Sequence, residues 1–135
     1  MFTRRLALAA VPVAAVITGA TAGLASSANA ASASASAVAN GRCTGTSSYS
    51  LQVQREDNHM ISVDWGVDMK SHVSGIKWTV QVTDNGKSVV HGTFKTIGDG
   101  SFSVTRQVAP QATNSFIASA HNPATGETCT AKATL

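Results

Sequence analysis

The sequence predicts an all-β fold: a seven-stranded antiparallel β-sandwich closed by one disulfide and preceded by a signal peptide. Three observations predict it. Apolar and polar residues alternate with a period of two in seven separate runs. Turn signals separate those runs at roughly 8–12-residue spacing, the pattern of a sandwich or barrel. A single pair of cysteines, Cys43 and Cys129, lies near the two ends of the patterned region.

The N-terminal stretch has a different character. Arg4 and Arg5 precede an apolar run from Leu6 to Ile17, and Ala28-Asn29-Ala30 puts small residues at −3 and −1 of a cleavage point. Residues 1–30 are therefore expected to be a secretory signal peptide. The run is too short and Ala-rich to cross a bilayer as a mature helix, which needs about 20 strongly apolar residues. No membrane contact is expected after cleavage. Thr3-Arg4-Arg5-Leu6-Ala7-Leu8 also resembles a twin-arginine signal, so the Sec and twin-arginine routes both stay open. Residues 31–42 are Ala/Ser-rich at the start and read as a flexible leader, with further Ala-x-Ala triplets that allow a ragged mature N-terminus. The folded domain is expected over 43–135.

Without residues 1–30 the chain keeps eight Lys/Arg and seven Asp/Glu, a net of +1 instead of the +3 of the whole chain. The charges alternate in sign and form no basic stripe, so neither a nucleic-acid footprint nor a polybasic membrane anchor is present.

Export carries the two cysteines to an oxidising compartment, and their wide separation makes no zinc spacing. A Cys43–Cys129 disulfide is expected. It would close nearly the whole domain into one loop and contribute about 4.5 kcal/mol in the chain-entropy model. A domain of this size buries only a little over 60% of its unfolded surface, so such a staple matters.

The runs follow in order. Tyr49, Leu51 and Val53 alternate with Ser50, Gln52 and Gln54. Ile61, Val63, Trp65 and Val67 alternate with polar residues or glycine, and Ile76, Trp78, Val80 and Val82 repeat the pattern. Val89 to Thr96, Ser101 to Val108, Ser115 to His121 and Glu127 to Leu135 complete the set. Each has one face to bury. Asp57-Asn58 makes the first turn. Asp84-Asn85-Gly86-Lys87 makes the third, Asn-Gly being a strong hairpin signal. A strict two-residue turn would set Val80 opposite His91. A three-residue loop sets Val80 opposite Val90, Trp78 opposite Gly92 and Ile76 opposite Phe94, and is preferred because it groups the apolar side chains. If each strand reverses direction, the first and seventh strands start at the same end, which brings Cys43 to Cys129.

Asn122-Pro123-Ala124-Thr125-Gly126 looks like a sortase sorting signal, but no hydrophobic segment and basic tail follow it. Pro123 fixes φ and Gly126 supplies a positive one, so the stretch is expected to be a hairpin loop.

Ile61-Ser62-Val63-Asp64-Trp65 resembles the second strand of fibronectin type III domains with its core Trp, and Ile76-Lys77-Trp78-Thr79-Val80 resembles the third. Val108-Ala109-Pro110 through Thr113-Asn114-Ser115-Phe116 is similar to the family's tyrosine corner, and Ala120-His121-Asn122 through Gly126-Glu127 to its last hairpin. The resemblance covers about residues 48–135 and implies a fibronectin type III-like or immunoglobulin-like sandwich. Phe116 has no hydroxyl to close the corner, and the cysteine pair is not a usual feature of the family. The leader and small format resemble exported proteins of high-GC Gram-positive bacteria. The small secreted chromophore carriers of actinobacteria share the architecture but usually have two disulfides.

No catalytic constellation is found, and the protein is not expected to be an enzyme. His59, His72, His91 and His121 are scattered without metal-ligand spacing. Asp64 and Asp68 share a strand face as solvated carboxylates, and no Gly-x-Ser-x-Gly elbow occurs. Asp99 in Gly-Asp-Gly-Ser is a turn residue. No catalytic residue, metal or cofactor is expected. Trp65, Trp78, Phe94, Phe102 and Phe116 fall on the core side, with Tyr49 assigned there too, which leaves no aromatic platform for a ligand. The candidate surface is the loop cluster at the cysteine end: Met69, Lys70, His72, Asp99, His121, Asn122 and Thr125. The expected function is a secreted, monomeric binding module for an extracellular protein, with an extracellular inhibitor or small-ligand carrier as the alternative.

Overall fold

A computed structural model of the protein describes residues 35–135. The expected signal peptide, and the leader up to residue 34, lie outside the described residues. The chain forms β1 (Ser36–Arg42), β2 (Ser48–Arg55), β3 (Ile61–Asp68), β4 (Lys77–Asp84), β5 (Lys87–Lys95), β6 (Ser101–Val108), β7 (Ser115–His121) and β8 (Thr128–Thr134). They make two four-stranded antiparallel sheets, ordered β1-β2-β3-β6 and β5-β4-β7-β8.

The seven-strand expectation is corrected to eight strands among the described residues. The added strand, β1, comes from the segment expected to be a flexible leader. It pairs along its whole length with β2, from Ser36 opposite Gln54 to Arg42 opposite Ser48. Its half-buried residues are Ala37, Ala39 and Gly41, while the larger Val38 faces solvent. Small residues suffice there because a bulky partner fills the space: a Cβ on Gly41 would meet the Tyr49 hydroxyl at 2.5 Å.

The period-two pattern in the other strands puts one face inward. Leu51, Val53, Ile61, Val63, Trp65, Phe102 and Val104 from the first sheet share a core with Trp78, Val80, Val82, Phe116, Ala118 and Ala131 from the second. Trp78 meets Phe102 across the layers with ring centroids 6.1 Å apart, and Phe94 stacks on Phe102 at the same distance. Tyr49 is half-buried and packs on Trp65 at 5.6 Å.

The β4–β5 register differs from the expected one. Asn85 and Gly86 both have positive φ, 52° and 84°, and Asp84 pairs with Lys87, so the turn has two residues. Carried on unbroken, that register would point His91 inward. A bulge beside Val82/Thr83 absorbs one extra residue of β5, and Val82 then faces Val90, Val80 faces Gly92 and Trp78 faces Phe94. None of the three expected pairs forms: the bulge moves each partner of β5 two residues along β4 from the expected register, while the apolar side chains of both strands still share the inward face.

At the corner between β6 and β7, Asn114 supplies the tie that Phe116 lacks. Its side chain is buried, donates to Asp84 Oδ2 at 2.8 Å and accepts from the Gln111 amide at 2.8 Å. Its backbone exchanges two hydrogen bonds with Leu135.

Candidate functional site

Four loops gather at the end where the disulfide forms: β1–β2, β3–β4, β5–β6 and β7–β8. Hydrogen bonds sort them into two pairs.

The first pair joins β1–β2 to β7–β8. Cys43 and Cys129 are bonded, with Cα atoms 4.3 Å apart. Thr44 donates its amide to Thr128 O, and Thr128 returns its own to Thr44 Oγ1, both at 2.9 Å. Glu127 is buried, and its two carboxylate oxygens accept from the Ser47 amide (2.8 Å) and hydroxyl (2.9 Å). Gly45 makes that approach possible, since a Cβ there would meet Glu127 Oε2 at 2.7 Å. The Asn-Pro-Ala-Thr-Gly stretch is the β7–β8 hairpin loop. Asn122 Oδ1 accepts from the Ala124 amide at 2.9 Å and the Thr125 amide at 3.3 Å, and Gly126 takes a φ of 80°. Asn122 is therefore a turn former with no exposed surface, not a side chain free to touch a partner. Thr125 is exposed, and its hydroxyl accepts from the Glu127 amide.

The second pair joins β3–β4 to β5–β6. Met69 donates its amide to Gly100 O at 2.9 Å, and Gly75 donates to Thr96 O at 2.7 Å. The buried Thr96 hydroxyl donates to Val73 O at 2.7 Å and accepts from the Ile76 amide at 3.0 Å. His72 adopts φ 56° and sets Nδ1 3.1 Å from Asp99 O. The two loops touch so closely at Gly100 that a Cβ there would lie 2.8 Å from His72 Cα and 2.9 Å from Met69 O. Asp99 accepts from both the amide and the hydroxyl of Ser101. Those bonds hold its carboxyl below the usual value of 3.8, the hydroxyl bond first, with a small contribution from His72.

The sequence-predicted site residues thus divide. Met69, Lys70, His72 and Asp99 come together in the second pair, with Met69 half-buried against the core and the others exposed. Asn122 and Thr125 belong to the first pair, and His121 stands on the exposed face of β7 opposite Thr79 and Thr128. Two further residues of the expected loops, not singled out from the sequence, are exposed here. Val73 is 46% exposed and Ile97 63% exposed, both in the second pair. Their signal was present as apolar residues inside turn segments, outside any alternating run.

His59 lies in the β2–β3 turn and His91 on the exposed face of β5. Among the described residues no group of three or more His, Cys, Asp or Glu side chains is placed to hold a metal ion. A shallow hollow of about 350 Å³ lies on the first sheet around Gly66, between Ser48, Ser50, Asp68, Ser101 and Ser103.

No protein-family model, no curated protein and no solved structure matches this chain.

Proposed function

We propose that the protein is a secreted, monomeric binding module of the fibronectin type III-like or immunoglobulin-like class, without catalytic activity, that docks an extracellular protein partner on the β3–β4/β5–β6 loop pair. The class is supported by the strand order, in which β3 lies beside β6 in one sheet and β4 beside β7 in the other. Secretion by the Sec or twin-arginine route is supported by the N-terminal sequence pattern and is compatible with the disulfide.

The observation that carries the docking site is the presentation of Val73 and Ile97. Two exposed branched apolar side chains stand on loops whose backbones are cross-linked by hydrogen bonds. A loop already ordered in the free state loses less entropy on binding. Lys70 and His72 add polar contacts beside them. The test is capture of a partner from the extracellular fluid of the native host by the purified protein, repeated with Val73→Ser/Ile97→Ser. Loss of capture by that variant, and retention by Thr125→Ala, is the expected result. Equal capture by both variants would move the site elsewhere.

The Gly66 hollow supports the second reading, a small-ligand carrier, because its volume is at the low end of ligand sites. A chromophore or other small molecule released on denaturing the purified protein would favour it.

A further inference from the structure

The end of the sandwich opposite the disulfide is tied across by Asn85, in the β4–β5 turn. Its Nδ2 donates to Thr113 O at 2.9 Å and to Gln111 Oε1 at 3.1 Å, and its Oδ1 accepts from the Ser115 amide at 2.9 Å. Its own amide donates to Ser115 O at 2.8 Å. All four bonds cross to the β6–β7 corner, beside the buried Asp84–Asn114 pair. The next residue is Gly86, with a φ of 84° and open space where a Cβ would stand. Asparagine before glycine is the dipeptide most open to attack on its side-chain amide by the next backbone nitrogen. Glycine neither shields that nitrogen nor resists the rotation that brings it to the amide.

We propose that Asn85 is a deamidation site: the native corner holds the reaction off, and its completion releases that corner irreversibly. The Gly86 nitrogen, giving up its proton, bonds to Asn85 Cγ. The Cγ–Nδ2 bond breaks, and ammonia leaves with that proton. One water then opens the five-membered imide. Opening at Cγ gives an aspartyl residue; opening at the main-chain carbonyl gives an isoaspartyl residue, whose backbone is one atom longer. No oxidant or reductant takes part. Ring closure requires the amide to turn away from Thr113, Gln111 and Ser115. Three side-chain bonds of ordinary strength favour the closed form on the order of 100-fold.

Neither product fits the corner. An aspartyl oxygen in place of Nδ2 would stand 2.9 Å from Thr113 O, an acceptor against an acceptor. Gln111 can turn its amide to donate, but the Thr113 carbonyl cannot. Asp84, one residue back, is already buried with Oδ1 lacking a hydrogen-bond partner, and a second negative charge beside it repels it. The isoaspartyl product adds a backbone atom to a two-residue turn, which parts the Asp84–Lys87 pair. The disulfide is at the other end and cannot hold this one closed. The site stands whether or not the displayed loops dock a partner.

Peptide mapping by mass after incubation at mildly alkaline pH tests this. In guanidinium chloride, with the disulfide intact, residue 85 should convert about as fast as the chain's other Asn-Gly pair, Asn40-Gly41. In the folded protein it should convert on the order of 100-fold more slowly. Gln111→Ala should speed conversion in the folded protein about fivefold and leave the unfolded rate unchanged. The converted protein, separated by chromatography, should melt roughly 5–10 °C below the parent. Its Ser115 amide should exchange faster, while the Thr44 and Thr128 amides beside the disulfide stay as protected as before. Asn85→Asp makes the aspartyl product directly and should show the same pattern of exchange. Equal rates at residue 85 in folded and unfolded protein, or a converted protein and an Asn85→Asp variant that both keep the parent's melting midpoint and Ser115 exchange, would overturn the proposal.

Discussion

In the β1–β2/β7–β8 loop pair the polar side chains turn inward. Glu127, Ser47 and Asn122 are buried and bonded to one another's loops or to their own turn, and a disulfide crosses beside them. In the β3–β4/β5–β6 pair the cross-links are largely main-chain, and Lys70, His72, Val73 and Ile97 turn outward. The two pairs stand at the same end of the molecule, and both are ordered. Order alone therefore does not mark a binding surface. What distinguishes the second pair is that the Val73 and Ile97 side chains it displays make none of these bonds, while His72 and Asp99 beside them do. The staple does not serve the displayed loops directly, because none of its hydrogen-bonded neighbours belongs to them.

The largest effect should come from the first pair. Replacing Cys43 and Cys129 by Ala opens a loop of sequence separation 86, worth about 4.5 kcal/mol in the chain-entropy model. Urea unfolding of the variant should show that loss. A loss below 1 kcal/mol would mean that the surrounding hydrogen bonds hold this end unaided.

Glu127→Ala should cost about 3 kcal/mol, because it leaves the buried amide and hydroxyl of Ser47 without an acceptor. Glu127→Gln keeps one acceptor oxygen and should lose roughly half as much. Equal stability of all three proteins in the same unfolding assay would contradict the inward role assigned to this residue. By contrast, Val73→Ser/Ile97→Ser should stay within about 0.5 kcal/mol of the parent.

Within the second pair the glycines separate crowding from conformation. Gly100 and Gly75 both have positive φ, 85° and 81°, but only Gly100 faces the backbone of another loop. Gly75→Ala should cost about 1 kcal/mol for the left-handed conformation alone. Gly100→Ala adds a clash with His72 and Met69 and should cost about 2–3 kcal/mol. If both cost the same, the loops are free to move apart and the preorganisation ascribed to them is lost.

These contrasts also bear on what could be read in the sequence. Strand positions from Tyr49 onward were legible because large apolar residues alternate with polar ones. β1 was not, because its inward residues are Ala37, Ala39 and Gly41 while its one large apolar residue, Val38, points out; the hydrophobic signal is inverted. The disulfide was legible from two cysteines and strand parity. The β4–β5 register was not, since a bulge leaves no compositional mark. At the site, the loops were legible as turns, and the gathering of Met69, Lys70, His72 and Asp99 followed from strand direction. Burial of Asn122 was not legible: Asn-Pro marks a turn equally well whether the side chain faces solvent or is folded under it. The tie through Asn114 and Asp84 is of the same kind, a long-range pairing of two polar residues that each look like turn formers.

The smallest effect concerns Asp99, the exposed carboxylate at the tip of the second pair. Ser101 donates its hydroxyl and its amide to this group, which favours the charged form and lowers the folded-state value below 3.8. The unfolded chain lacks these bonds. A carboxyl with a depressed folded value contributes stability that is present above its unfolded value and is lost as pH falls through the lower, folded one. Between those two values the β5–β6 loop should therefore loosen while the sandwich remains folded. An NMR titration of Asp99 should place its midpoint below that of a free aspartate. Ser101→Ala removes the first of the two bonds and keeps the amide, so the midpoint should rise part of the way back. The Met69–Gly100 amide should then exchange faster at low pH than in the parent. A midpoint that does not move in Ser101→Ala would show that the hydroxyl bond is not what holds Asp99, and with it the tip of the loop, in place.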